Sequence, residues 1–244
     1  MGHEWEQHDE VEIDATPEQV WAAIATGPGY DSWFMGRTEV EPGEGGTVHT
    51  DLAGYSMDST ITAWEPLRRM AFRGDEQPDG RFVAFEYLIE GRERGSTVLR
   101  LVSNGFLPGD DWEAEYDAMV KGGAMYFATL VAYLRHFAGR TAIPVFAVAP
   151  GGARLFDRLP VALGLTTPPA VGDPVRVAPE GLPPIDGVVD FANPDAIGVR
   201  TDDALYRFVE GIGPTVAVHH LFADGVDGDT SEQAWRAWLA GLAD

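Results

Sequence analysis

Hydrophobic and polar positions alternate along residues 8–14, with Val11 and Ile13 on one side and Glu10, Glu12 and Asp14 on the other. That period predicts a half-buried strand with an acidic outer face. Thr16-Pro17-Glu18-Gln19 then opens a helix, with Thr16 at the N-cap, Pro17 at the first helical position and Gln19 placed to close a capping box. Val20, Trp21 and Ile24 follow at helical spacing, and Gly27-Pro28-Gly29 is read as the stop. A short second helix is expected to carry Tyr30, Trp33 and Phe34. From Gly36 to Phe106 the pattern becomes strand and turn. Strands are predicted over 38–41, 47–52, 57–65, 70–73, 82–90 and 97–103, joined by short connections, which implies an antiparallel meander. The glycines of Pro42-Gly43-Glu44-Gly45-Gly46 make a hairpin turn rather than a phosphate cradle, because no helix with a Lys or Ser/Thr follows them.

A long amphipathic helix comes next. Asp110 or Asp111 caps it, Glu113 and Glu115 occupy its first turn, and Arg135, His136 and Arg140 lie at its far end, as the helix dipole favours. Tyr116, Met119, Val120, Gly123, Phe127, Leu130, Val131 and Leu134 form one apolar stripe. The helix runs about 26 residues, or roughly 39 Å. Such a stripe has to be buried, and the natural partner is the concave face of a curved antiparallel sheet. A gap between the two would be an apolar cavity for a small ligand.

The second half repeats the order in shortened form. A strand is predicted over 144–148, a helix over 153–165 disturbed by Pro160, strands over 175–178, 188–191, 197–200, 205–209 and 215–222, and a final helix opened by Thr230-Ser231-Glu232-Gln233 as a second capping box. The architecture expected is α+β: a domain over 1–139 and a degenerate second module over 140–244 whose short last helix covers little space.

Charge and composition narrow the function. The 17 Lys and Arg against 39 Asp and Glu leave a net charge of −22. That argues against nucleic-acid binding and against docking on anionic membranes. Residues 1–139 hold 25 of the acids and 10 of the bases, so the charge is concentrated in the first half. No run is long and apolar enough to span a membrane and no signal peptide opens the chain, so a cytoplasmic protein is expected. The absence of cysteine excludes disulfides, thiolate metal sites and a Cys nucleophile. His219-His220 are adjacent in a strand and point to opposite faces, so they cannot share a metal ion. His3 and His8 are read as part of a mobile terminus. The acids of the 224–229 loop have the wrong spacing for an EF-hand and are read as a solvated turn with a helix cap. No serine sits in a Gly-x-Ser-x-Gly elbow. No catalytic residue, metal or cofactor is therefore assigned.

Thr16-Pro17-Glu18-Gln19-Val20-Trp21 resembles the opening of the START-like, birch-pollen-allergen-like helix-grip superfamily (SRPBCC). Trp33-Phe34, Gly45-Gly46, Trp64-Glu65-Pro66, Met70-Ala71-Phe72, Ser96 to Leu101, Gly105-Phe106 and Gly122-Gly123 are similar to its branch of homologues of the activator of the heat-shock protein 90 ATPase. Where that branch often carries Gly-Trp, this chain has Gly123-Ala124. The resemblance covers residues 8–138. It implies a helix-grip fold, a curved antiparallel sheet wrapped around the long C-terminal helix. It further implies one of three activities: non-catalytic binding of a small apolar ligand, co-chaperone action on the heat-shock protein 90 ATPase, or a polyketide cyclase/aromatase-like reaction. The partners it admits are an apolar small molecule, the chaperone or a second copy. The residues expected to line the ligand cavity are Trp33, Phe34, Trp64, Phe72, Phe85, Tyr87, Leu101, Phe106, Tyr116, Met119, Val120, Gly123 and Phe127. Gly123 opens room on the buried stripe, and Tyr87 and Tyr116 supply polar tips. The acidic shell favours a neutral or cationic ligand over an anionic one.

Overall fold

The computed structural model describes residues 2–52, 55–92, 95–110, 112–165, 168–210 and 213–243. The chain divides into two compact units, one made of residues 1–120 and 129–141, the other of residues 121–128 and 142–244.

The first unit begins with β1 (His3–Ile13), then α1 (Pro17–Ala25) and the single turn α2 (Gly27–Tyr30). Six strands follow: β2 (Arg37–Val40), β3 (Thr47–Asp51), β4 (Ser56–Glu65), β5 (Arg69–Gly74), β6 (Phe82–Gly91) and β7 (Thr97–Leu107). The helix α3 (Trp112–His136) comes after them. The sheet runs in the order β1-β7-β6-β5-β4-β3-β2, and every neighbouring pair is antiparallel. The meander read from the alternation is therefore present, closed by pairing of the first strand with the last.

Local chemistry sets the element ends. Thr16 Oγ1 accepts the Gln19 N–H at 3.3 Å and Gln19 Oε1 accepts the Thr16 N–H at 2.9 Å, so the capping box forms as expected. Gly27-Pro28-Gly29 does not only stop α1. Thr26 Oγ1 accepts the Gly29 N–H at 3.1 Å and starts α2, whose first turn tolerates Pro28 because no N–H is needed there. Trp33 and Phe34 lie in the turn beyond this short helix instead of on it. Asp111, one of the two expected caps of α3, lies outside the described residues.

The N-terminus also departs from expectation. β1 starts at His3, not His8, and its full length pairs with β7, from His3 opposite Leu107 to Ile13 opposite Thr97. Stacking explains the extension. The His3 ring lies 4.2 Å from that of Trp112, and Trp5 packs over Gly105. A Cβ on Gly105 would fall 2.4 Å from the Phe82 carbonyl oxygen and 3.0 Å from Trp5 Nε1, so this position has to be glycine.

The second unit repeats the topology with one strand fewer. Its elements are β8 (Ile143–Val148), α4 (Leu159–Ala162), β9 (Pro174–Val177), β10 (Ile185–Asn193), β11 (Ala196–Arg200), β12 (Ala204–Val209), β13 (Val216–Leu221) and α5 (Gly228–Ala243). The strand order is β8-β13-β12-β11-β10-β9, again first against last and then a meander. The helix expected over 153–165 shrinks to one turn, because Pro160 is tolerated only near a helix start. The last helix is capped by Asp227 rather than Thr230: Asp227 Oδ1 accepts the Thr230 N–H at 2.8 Å. That bond lowers the Asp227 carboxyl pKa, from a fully exposed position. Tyr206, Phe208, His219, Trp235 and Leu239 fill the space beneath α5. Among the described residues no helix is long and apolar enough to cross a membrane.

Candidate binding face of the first sheet

The strand register sorts the first sheet into two faces. Glu10, Arg100, Glu90, Arg69 and Glu86 lie on the outer face and pair with one another. The inner face reads, across the strands, Asp9–Leu101–Tyr87–Met70 in one row and Gln7–Ser103–Phe85–Phe72 in the next. Towards α1 this face is sealed: Ile13, Leu99 and Met70 are at most 2% exposed. Away from α1 it is not. Trp5, Gln7, Asp9, Val83, Phe85 and Ser103 all point inward yet remain half-buried. A stretch of the inner face is therefore left incompletely covered by the protein's own side chains, although Leu107 beyond it is 1% exposed.

An aromatic group stands in the middle. Phe72 lies 5.4 Å from Phe85 and 6.3 Å from both Tyr87 and Tyr30, measured between ring centroids. Tyr30 in turn meets Trp33 at 4.9 Å and Phe34 at 5.8 Å. The Trp33 indole N–H donates to the Ala23 carbonyl at 2.9 Å, which fixes that ring to α1. The Tyr30 hydroxyl donates to the Tyr87 hydroxyl at 3.4 Å. Burial raises the pKa of both phenols, so the pair stays protonated and neutral.

Two carboxyls are perturbed here. The Asp9 pKa is raised by burial, opposed by the Gln7 amide, which donates to Asp9 Oδ2 at 3.1 Å. The Asp31 pKa is pushed up to about 6 by burial, although its Oδ1 accepts the Thr38 N–H at 2.6 Å. A carboxyl raised on folding gives stability that is fully present below its ordinary pKa of 3.8 and declines as pH rises towards 6. Asp31→Asn keeps the acceptor and removes the titration. Urea unfolding from pH 4 to 6 should therefore be flatter for the variant, with about 1–2 kcal/mol recovered at pH 7 after allowing for partial solvent screening. An unchanged slope would mean that another group sets it.

Most expected lining residues come together on this face. Trp33, Phe34, Phe72, Phe85 and Tyr87 form the aromatic group, with Leu101 beside Tyr87 in the register. Trp64, paired with Met70, packs edge-on against Trp21 of α1 at 4.9 Å. Tyr116 meets Trp5 at 5.9 Å, and Met119 and Val120 are half-buried on the same helix. Gly123 and Phe127 belong to the stretch of α3 that groups with the second unit, so they are not part of the first unit's aromatic group. A Cβ on Gly123 would meet no atom within 4 Å, so open space adjoins it. Phe106 is a correction. It pairs with Phe82 and Glu4, lies an odd number of residues from Leu101, and so falls on the outer face. The residues that pattern reading missed are Trp5, Gln7, Asp9, Tyr30 and Ser103. The two-residue period running back from Val11 and Leu101 carries the signal for all but Tyr30.

In the second unit His219 and His220 are fully buried. A cleft of about 420 Å³ lies there as well, walled by Phe156, Pro160, Pro168, Pro169 and Pro194. Among the described residues of its wall Asp157 is the one titratable group.

The fold is thus a helix-grip domain followed by a shortened copy of the same topology. A family model described as "Polyketide cyclase / dehydrase and lipid transport" matches residues 5–135, more than half of the chain, and the chain belongs to that family. No curated protein matches it. Similar solved structures include the di-domain ARO/CYC BexL of the BE-7585A biosynthetic pathway, at 13% identity and TM-score 0.48, covering 98% of this chain and 97% of that one. DynU16, from the dynemicin biosynthetic locus, is 19% identical with TM-score 0.44, covering 98% and 95%. The Aha1 dimer from Colwellia psychrerythraea is 19% identical with TM-score 0.43, covering 54% of this chain and 96% of that one.

Proposed function

We propose that the first unit is a binding module that holds a small, mostly apolar molecule over the inner face of its sheet. The observation that carries the reading is the contrast in burial along that face. The end beside α1 is packed shut, while an aromatic floor runs on to side chains that face inward and stay half-buried. A floor that is largely aromatic and aliphatic, with a few convergent polar groups, is the usual composition of a small-molecule site. The family's description names polyketides and lipids, and carbon-rich cargo of that kind suits such a floor. We also propose that the boundary between the two modules lies near residue 140, and that binding belongs to the first.

The test is a titration of the whole protein with a polycyclic aromatic probe, read by quenching of tryptophan fluorescence. Saturable quenching is expected, together with a melting temperature that rises with probe concentration as mass action requires. Ser103→Phe adds bulk at the half-buried part of the floor and should weaken binding about tenfold, or ~1.4 kcal/mol, without lowering the unliganded melting temperature. If the probe neither quenches saturably nor shifts the melt, the binding reading is wrong.

A further inference from the structure

Asp9 is an unusual residue to find on an inner face. It lies in register with Leu101 and so with Tyr87, on the side of the sheet that carries the aromatic group. Among the described residues Gln7 is its one side-chain hydrogen-bond partner, through Oδ2. No Lys or Arg occupies any inward position of the paired strands around it: the row neighbours are Leu101 and Tyr87, and the flanking positions are Gln7, Val11, Ser103 and Leu99. Two arginines border this part of the sheet and both are paired: Arg100, on the outer face opposite Glu10, binds Glu10, and Arg81, just before β6, binds Glu115 of α3. A carboxylate partly withdrawn from water, with no Lys or Arg on its own face and with the exposed His8 of the opposite face as the charge that acts on it, is costly unless something supplies a closer cation.

The surroundings suit a cation with an apolar body. Trp5 and Tyr116 pack against each other at 5.9 Å further along β1, giving an aromatic wall at that end. Across the strands, at the usual inter-strand spacing, Tyr87 stands about 10 Å from Asp9 with the apolar Leu101 between them.

We propose that the ligand carries a protonated amine that seats against the Asp9 carboxylate, with its apolar body lying across Leu101 towards Tyr87. The proposal rests on the binding reading above and specifies its ligand class. Gln7 is the positioning residue, holding one carboxylate oxygen and leaving the other for the ammonium. Aromatic faces beside the site add to the attraction for a cation. A carboxylate-bearing ligand is disfavoured twice, by Asp9 and by the net charge of −22.

Three probes of one shape test this: anthracen-2-ylmethylamine, anthracen-2-ylmethanol and anthracene-2-carboxylate, titrated into the full chain at neutral pH. The amine should bind about tenfold or more tightly than the alcohol, and the carboxylate weakest, as expected for one partly desolvated ion pair. The preference should persist in about 0.5 M salt, where the diffuse attraction of the acidic surface is screened. Asp9→Asn should reduce the amine to the affinity of the alcohol and leave the alcohol unchanged. If amine and alcohol bind equally to the wild-type protein in high salt, the proposal fails while the binding reading stands. If the preference survives in a folded Asp9→Asn variant, Asp9 is not the seat and the proposal fails. If none of the three binds, the binding reading falls and takes the proposal with it. If the variant does not fold, equal binding of amine and alcohol by the wild-type protein in high salt still overturns the proposal.

Discussion

Asp190→Ala is expected to destabilise the second unit by about 3–5 kcal/mol, because it strips the counter-charge from a buried guanidinium. Arg207 has a side chain 1% exposed, and Asp190 grips it with both oxygens, at 2.9 and 2.8 Å. The remaining contacts of that guanidinium include the Tyr206 carbonyl at 2.9 Å, which cannot neutralise it. Burial lowers the Arg207 pKa and Asp190 acts to restore it. The pairing depends on two local devices. Asp190 falls at a register shift between Val189 and Phe191, a bulge that aims its side chain out of the regular alternation. Gly198 leaves the space, since a Cβ there would come 2.8 Å from both Arg207 Nη1 and Asp190 Oδ1. Hydrogen exchange followed along β10 to β13 should show protection lost in Asp190→Ala at urea concentrations that leave the first sheet protected. Replacing both partners by apolar residues, Asp190→Leu with Arg207→Met, should recover most of the loss. A loss below about 1 kcal/mol in the single variant would show that the pair is solvated, contrary to its burial.

That ion pair lies at the boundary of what pattern reading reaches. The first sheet is legible because its outer face is wet: β1 alternates acid with apolar residue, and the alternation gives both the strand and its inward side. The same period, carried back from Val11, places Asp9, Gln7 and Trp5 on the inner face, so part of the candidate site is written in the sequence. Carried forward from Leu101, it puts Phe106 outside; an aromatic residue at a strand end suggests a lining, but the register decides. The second sheet gives no such signal. Ala204 to Phe208 are buried without a break, so the alternation that would separate the faces is missing and Arg207 sits among apolar neighbours. The bulge at Asp190 is hidden for the same reason, because it shows only in the pairing of β10 with β11. Pro160 and the Asp227 cap are local matters of a different kind. Both residues carry strong signals, but each sits where two helix starts compete, and the tertiary core selects between them.

Trp235→Ala is the other large expected effect, about 3–5 kcal/mol of the second unit's stability at neutral pH, from the transfer and cavity costs of deleting a buried indole. Trp235 is 3% exposed and touches Tyr206, Phe208, His219 and Trp238, at centroid distances of 5.6, 5.7, 4.2 and 5.3 Å. Its contact with His219 links this core to pH. His219 Nδ1 accepts the Arg207 backbone N–H at 3.1 Å, which places the imidazole proton on Nε2. That atom is buried with no nitrogen or oxygen partner among the described residues. The imidazole meets the indole edge-on, at an interplanar angle of 70°, and also packs edge-on against Tyr206 and Phe208, so aromatic rings are its remaining neighbours. Burial, with smaller contributions from His220 and Arg207, holds the His219 pKa well below 6.5. The sign follows from proton uptake. Below pH 6.5 the unfolded chain takes up a proton that the folded chain refuses, so this contribution to stability is lost progressively as pH falls. A cavity in place of Trp235 lets water reach Nε2 and returns the imidazole towards its ordinary pKa. The acid-dependent loss should then be shallower in Trp235→Ala, so that the gap between variant and wild type narrows between pH 7 and pH 5. Trp235→Phe, which keeps an aromatic ring at the contact, should preserve the wild-type pH profile at a smaller cost in stability. Urea unfolding at the two pH values measures both quantities, and a gap that stays constant would mean that Trp235 packs against His219 without controlling its proton.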